Sequence, residues 1–174
     1  MFIKGENIYL RALEPSDVDV LYKWENNREI WHVSNTQTPF SRYVLEQFLV
    51  NAHEDIYTNK QLRLIISQHG NDAAVGAIDL FDFDPYHLRA GIGILISEEY
   101  RNKGYAYEAL KLLKDYAFNT LLVKQLYANV TVNAPASLQL FEKSGFEKIG
   151  LKKQWNRSSA NEFSDEWLLQ LINQ

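Results

Sequence analysis

Residues 89–121, RAGIGILISEEYRNKGYAYEALKLLKDYAFNTL, restrict the fold more than any other stretch. They read as a strand, a loop and a helix in immediate succession. The strand spans 90–96 and the loop is 101–106, RNKGYA. The helix carries Ala106, Ala109, Leu110, Leu113, Tyr116 and Ala117 at spacings of three and four, which places them on one face. A loop that feeds directly into a helix leaves the first-turn N–H groups unpaired and facing outward. With the positive end of the helix dipole, those donors suit a phosphate-type anion. Gly104 removes a side chain where backbone and anion must come close. The alternative is that Gly104 simply makes an ordinary turn before a helix.

Other nucleotide loops do not match. The Walker pattern needs a Gly-Lys-Ser/Thr end after a spaced glycine, and the chain has no such string. The dinucleotide fingerprint needs three spaced glycines, and Gly104 stands alone in this loop.

The rest of the chain alternates strands and helices. Residues 7–13, NIYLRAL, alternate as a half-buried strand does. Glu14-Pro15-Ser16-Asp17 is a helix start, and Val18, Leu21, Tyr22 and Trp24 give that helix an apolar side ending at Asn26-Asn27. Residues 28–40 have no clear period but carry Trp31, His32 and Phe40. Ser41 is an N-cap for a second helix with Leu45, Phe48, Leu49 and Ala52 on one face. Residues 62–67 and 74–83 read as a hairpin around the turn His69-Gly70-Asn71-Asp72. Asp84-Pro85-Tyr86-His87 turns the chain into the strand at 90–96. A strand at 125–132, a short helix at 136–144 closed by Gly145, and strands near 148–157 and 162–171 complete the order. No linker or repeat breaks it, so residues 1–174 are expected to form a single α/β domain.

Composition excludes several classes. The chain has no cysteine, which removes disulfides, thiolate metal sites and a cysteine nucleophile, and no metal is expected. The net charge of -4 argues against nucleic-acid binding by bulk charge. No apolar run is long enough to span a membrane and the first residues lack a signal-peptide core, so the expected setting is the cytoplasm.

Two motifs together resemble the GNAT superfamily of acyl-CoA N-acyltransferases. One is Arg101-x-x-Gly104-x-Ala106 directly after a buried strand. The other is Leu140-Phe141-Glu142-Lys143-Ser144-Gly145-Phe146 near the end. With Phe40-Ser41 and the hairpin they fall in the family's order over residues 6–172, and the stretch 95–121 is most similar to the branch of spermidine and ribosomal-protein-alanine N-acetyltransferases. The resemblance implies a mixed, twisted central sheet with helices on both faces, and acetyl-CoA as co-substrate. It implies that Ile94, Leu95 and Ile96 offer backbone hydrogen bonds to the pantetheine arm. Arg101, Asn102, Lys103, Gly104, Tyr105 and Ala106 would hold the diphosphate. It implies a cofactor role for Asn133, although this residue lies one position early and also reads as a helix-entry residue. The strands at 90–96 and 125–132 must part to admit the cofactor.

The implied chemistry needs a neutral acceptor amine. Removing a proton from an alkylammonium of pKa ~10.4 at pH 7 costs about 4.6 kcal/mol, so a base or a water chain must assist. The leaving thiolate also needs a proton. Many family members use a Tyr where this chain has Phe141, which lacks a hydroxyl, so a water or Ser137 is left as donor; Ser137 also reads as a plain helix-start residue. Phe141 itself is expected beside the cofactor.

On the acceptor side the informative residues are Asp79, Asp82 and Asp84, with Asp79 the candidate carboxylate near the amine. A solvated place on an open sheet face is the alternative for Asp79. Asp79 and Asp82 share a face only if a bulge intervenes. Asp84 before Pro85 reads as turn chemistry. Trp31, Phe40 and Tyr86 are candidate pocket walls, and His32 and His87 could titrate. The expected acceptor is a small amine or polyamine, or a protein N-terminus, and a homo-oligomer is possible. Phe141 also leaves room for a binding module that keeps the cofactor cleft without turnover.

Overall fold

The computed structural model describes residues 3–28, 36–52, 54–159 and 161–174. Trp31 and His32 lie outside them.

Its strands are β1 (Ile3–Lys4), β2 (Ile8–Arg11), β3 (Leu62–Gln68), β4 (Ala74–Asp84), β5 (Arg89–Ile96), β6 (Gln125–Thr131), β7 (Glu147–Arg157) and β8 (Phe163–Ile172). They form one sheet in the order β1-β2-β3-β4-β5-β6-β8-β7. Every pairing is antiparallel except β5 with β6. The helices are α1 (Val18–Glu25), α2 (Arg42–Asn51), α3 (Ile56–Asn59), α4 (Tyr105–Asn119) and α5 (Pro135–Lys143). The short strand β1 and the one-turn helix α3 have no period long enough to read in sequence.

Local signals act where expected. Ser41 Oγ accepts from the Val44 N–H at 3.2 Å, an N-cap that starts α2. Pro15–Asp17 is a 3-10 turn with a capping box, and it leads into α1. Gly145 closes α5 at φ 93°. Asp84 Oδ1 accepts from the N–H groups of Tyr86 and His87 at 3.1 and 2.9 Å, as turn chemistry requires.

Helices cover both faces of the sheet. On one face Ala109, Leu110, Leu113 and Ala117 of α4 are fully buried against Ile78, Leu80 and Ala90. On the other, Leu21 and Trp24 of α1 and Leu45 of α2 pack on Ile65 and Ala77. Truncating one of these fully buried leucines to alanine would cost ~2–5 kcal/mol. Two expected apolar positions differ: Tyr22 and Ala52 are exposed. Tyr22 is retained by the Arg42 guanidinium, 4.7 Å from its ring centroid, and Ala52 caps the end of α2 where its burial face has run out.

The feature that positions the site is the β5–β6 pair. These parallel strands pair only at Arg89↔Gln125, Ala90↔Leu126 and Gly91↔Tyr127. Beyond Gly91 they diverge. Residues 92–96 then pair as a strand with β4 alone, and residues 128–131 with β8 alone. A wedge opens within a continuous sheet, and its strand edges retain unsatisfied peptide groups.

Candidate active site

The wedge leads into a cavity of about 400 Å³ that passes between the two sheet faces. Ile92, Gly93, Ile94 and Leu95 line one side of it, and Asn129, Val130 and Thr131 the other. Ala134, Ser137 and Phe141 of the α5 segment close one end. Leu21, Trp24 and Glu25 of α1, with Arg63, Asp79 and Phe81, close the opposite end. Asn156 and Glu166 complete the wall from β7 and β8.

The loop 101–106 lies between β5 and α4, and its Arg101 Nε donates to the carbonyl of Ile96 at the end of β5 at 3.2 Å. Gly104 is the N-cap at φ 83°, ψ -5°, with no side-chain cap. Nothing lies within 4 Å of where its Cβ would be, so the left-handed backbone, not crowding, calls for glycine. The Arg101 N–H bonds to the Glu98 carbonyl at 3.2 Å. Among the described residues none accepts a hydrogen bond from the N–H groups of Asn102, Lys103, Gly104, Tyr105 and Ala106. Asn102, at φ 62°, also takes a left-handed turn, so consecutive amides curl into a nest. Arg101, Asn102 and Lys103 are exposed, which leaves two cations beside it.

At the opposite end Arg63 organises the charge. It lies directly across the β3–β4 ladder from Asp79. Its Nε and Nη2 donate to the two Asp79 carboxylate oxygens, each at 2.8 Å, and its Nη1 donates to Glu25 Oε1 at 2.7 Å. Burial works against the charge on Arg63, but the Asp79 hydrogen bonds and the charges of Asp79 and Glu25 outweigh it and raise the guanidinium pKa. Asp79 is therefore fixed at the cavity wall as a fork-paired carboxylate, not solvated on an open sheet face.

Asp82 has a different place. The β4–β5 register shifts between Phe81 and Asp84, and Asp82 takes φ 48°. This is the bulge that could bring Asp82 to the Asp79 side. Asp82 nevertheless stays exposed outside the cavity, with Tyr127 Oη 3.5 Å from its Oδ2. Burial, then the Asp82 charge, pushes the Tyr127 hydroxyl above its usual pKa. Phe81 turns into the cavity instead. Its ring covers Gly91, where a Cβ would meet Phe81 Cε2 at 2.3 Å, and its edge meets the Tyr127 ring at 5.8 Å.

Other candidates separate cleanly. Phe141 is buried at the cavity end against the Phe146 ring, 5.1 Å away and nearly perpendicular. Ser137 also lines the cavity, within the first turn of α5. Asn133 is exposed in the turn before α5 and does not line the cavity. Tyr86 is 88% exposed in the turn at Asp84, far too open to wall a pocket; His87 shares that turn. Phe40 packs half-buried on the α1–α2 cluster, where Asn26 brackets its backbone N–H and carbonyl.

Sequence reasoning did not find Glu25, Arg63 and Glu166. Glu25 stands four residues after Leu21, so a carboxylate on the apolar stripe of α1 was a visible signal. Arg63 shares a strand face with Ile65, and hairpin register would have set it across from Asp79. No local signal marks Glu166. It is 9% exposed, and it accepts from Lys152 Nζ at 2.5 Å and Asn156 Nδ2 at 2.7 Å.

A family model described as "Acetyltransferase (GNAT) domain" matches residues 7–147. The chain belongs to the GNAT acetyltransferase family. A curated relative, the spermidine N(1)-acetyltransferase of Vibrio cholerae serotype O1, is 28% identical over 84% of this chain and 82% of its own. A dodecameric structure of spermidine N-acetyltransferase from Vibrio cholerae superposes with a TM-score of 0.80 at 26% identity, covering 97% of this chain and 95% of that one. A crystal structure of the Vibrio cholerae enzyme in complex with CoA and spermine superposes with a TM-score of 0.87 at 24% identity, covering 97% and 96%, which establishes the shared fold.

The chain is thus an N-acetyltransferase with acetyl-CoA as acetyl donor. The residues present suit that donor. The wedge offers unpaired strand amides and carbonyls to an amide-bearing arm, and the nest at 102–106 offers free N–H donors with two flanking cations to a diphosphate. When bound, acetyl-CoA supplies the acetyl group as an activated thioester.

Proposed function

We propose that the protein acetylates a primary amine of a small cationic acceptor, a polyamine, by direct transfer in a ternary complex. The observation that carries this reading is a single cavity with chemically opposed ends. One end is closed by Ser137 and Phe141 and the other is walled by Glu25 and Asp79, and the strand that lines it runs into the loop at 101–106, whose Arg101 Nε donates to the Ile96 carbonyl at 3.2 Å. The name and likeness of the Vibrio cholerae relative support the acceptor class.

The roles follow from position. Ile94, Leu95 and Ile96 present peptide groups to the pantetheine arm, and Arg101, Asn102, Lys103, Gly104, Tyr105 and Ala106 hold the diphosphate. Phe141 packs beside the thioester end, and Asn133 stands at the rim. Asp79 is the acceptor-side carboxylate. Its two oxygens are held in a fork by Arg63, so it orients the ammonium and favours its approach, while water in the cavity carries the proton away. The leaving sulfur takes its proton from water or from Ser137, because Phe141 offers none. A thiol of pKa ~8.5 leaves tolerably near neutrality, which lets this step proceed without a phenol.

The reading treats residues 1–174 as one domain working in the cytoplasm, where acetyl-CoA is available. Among the described residues no helix is long and apolar enough to cross a membrane. It also includes a homo-oligomer, because the Vibrio cholerae protein of similar fold is dodecameric.

The deciding experiment follows thiol release from acetyl-CoA with spermidine, aminoglycosides, free amino acids and N-terminal peptides. Turnover greatest with polyamines supports the proposal. Turnover greatest with peptides would assign the site to a protein N-terminus. Cofactor affinity without thiol release from any amine would leave a binding module.

A further inference from the structure

One wall of the cavity carries a polar network with no role in the assignments above. Glu166 of β8 lies across the ladders from Thr131 of β6 and Lys152 of β7, so these side chains share a sheet face. Lys152 Nζ donates to Glu166 Oε1 at 2.5 Å and to Asn129 Oδ1 at 2.9 Å, and Asn156 Nδ2 donates to Glu166 Oε2 at 2.7 Å. Asn129, Asn156 and Glu166 all line the cavity. A bulge sets Asn156 in place. Between Lys152 and Asn156 the β7–β8 register shifts, and the Gln154 N–H in that stretch donates to Asp165 Oδ1 at 2.7 Å.

The two charges fix which way the amides face. An ammonium only donates, so Asn129 must turn Oδ1 to Lys152. A carboxylate paired with that ammonium only accepts, so Asn156 must turn Nδ2 to Glu166. The end of Asn156 left for the cavity is its carbonyl, and among the described residues nothing donates to it.

A neutral attacking amine must aim its lone pair at the thioester carbon, so its N–H bonds need a fixed acceptor elsewhere. A carboxylate in that place would favour the ammonium form and raise the cost of losing the proton. An amide carbonyl holds the N–H without adding a charge. We propose that Asn156 Oδ1 accepts an N–H of the attacking amine, with Glu166 and Lys152 as positioning residues that keep it turned that way. The proposal rests on the amine-acceptor reading: Asp79 draws the ammonium in, and Asn156 holds the nitrogen once it is neutral.

The test follows thiol release with spermidine over a pH range, and CoA affinity by calorimetry. Glu166→Gln keeps the shape but reverses the polarity. The new amide must turn its oxygen to Lys152, so its NH2 faces Asn156, which turns in response and shows its own NH2 to the cavity. The expected result is a fall in kcat/KM of about tenfold or more, with CoA affinity unchanged. Asn156→Ala removes the carbonyl without changing any charge and should fall by a similar factor. This variant decides the matter if Glu166→Gln does not fold. Combining Glu166→Gln with Asn156→Asp again shows an oxygen to the cavity. That double variant should return to within about threefold of the wild type on its alkaline plateau, with the rising limb of its kcat profile moved to higher pH, because a carboxylate there favours the ammonium. It does not restore the Lys152–Glu166 ion pair, so a merely structural network would stay broken.

Asn156→Ala within about twofold of the wild type would overturn the proposal, as would a double variant as slow as Glu166→Gln at every pH. Loss of CoA affinity in either single variant would assign the network to the cofactor and overturn it too. A wild type that releases no thiol with any amine would instead overturn the acceptor reading on which it rests.

Discussion

Asp79 shows how a single residue's role depends on its neighbour. As a free carboxylate on a strand it would be a candidate base. Forked to Arg63 at 2.8 Å on both oxygens, it is an anchored charge. Asp79→Asn should lower kcat/KM for a cationic amine by about 10–100-fold, mainly through KM, and leave CoA affinity unchanged by calorimetry. Phe141→Tyr places a hydroxyl at the cofactor end of the cavity. It should raise kcat about tenfold where thiolate protonation limits turnover, a modest share of what a positioned acid can supply. An unchanged kcat would show that water already meets that need.

A different carboxylate governs a pH response. Glu99 accepts from Ser97 Oγ at 2.6 Å and Lys23 Nζ at 3.1 Å, and these hydrogen bonds, with that of its own backbone N–H, lower its pKa to about 2. A depressed folded-state pKa stabilises above the unfolded value and ceases to do so as pH falls through the folded one. Glu99→Gln should therefore lower the urea midpoint below that of the wild type at pH 7, and the gap should close as pH drops from the ordinary carboxylate range towards 2.

At the scale of elements, α4 and its loop work as a unit only if the helix N-terminus is held in place. Glu108, in the first turn, accepts from the Asn7 N–H at 2.9 Å, Asn7 Nδ2 at 3.0 Å and the Ile8 N–H at 3.3 Å. These bonds tie α4 to the β1–β2 turn. Burial opposes the Glu108 charge, but the hydrogen bonds from Asn7 prevail and lower its pKa. Glu108→Ala should cost about 1.5–3 kcal/mol in urea unfolding, the range for hydrogen bonds to a charged acceptor. Gly104 contributes differently. Since nothing crowds its Cβ position, a side chain there meets only backbone strain, about 1–2 kcal/mol. Gly104→Glu should fold, yet lose CoA binding through a carboxylate set among the anion donors. Normal binding by this variant would count against the loop assignment.

At the scale of the whole molecule, the wedge between β5 and β6 stores unmet hydrogen bonds that a bound arm can meet. CoA at 100 times its Kd should stabilise the fold by about 2.7 kcal/mol, a rise in Tm of roughly 5–10 °C for a chain of this size. Hydrogen exchange should slow at residues 92–96 and 102–106 and change little in the already paired β2–β3 ladder. Uniform slowing across the sheet would mean the arm does not add at the wedge.

Much of this was legible in the chain itself. Strand and helix periods, the Ser41 cap, the Asp84 turn and the strand–loop–helix of 89–121 depend on neighbours a few residues apart, so they survive in sequence. Two linked motifs extended that to the family. The tertiary structure alone decided the insertion of β8 between β6 and β7, the parting of β5 from β6 after Gly91, and the meeting of Glu25, Arg63 and Asp79. Those arrangements depend on register and packing between residues dozens of positions apart. Phe81 follows Asp79 into the cavity by strand alternation, whereas the one-residue bulge after it could have turned Asp82 inward, and the tertiary structure leaves Asp82 outside.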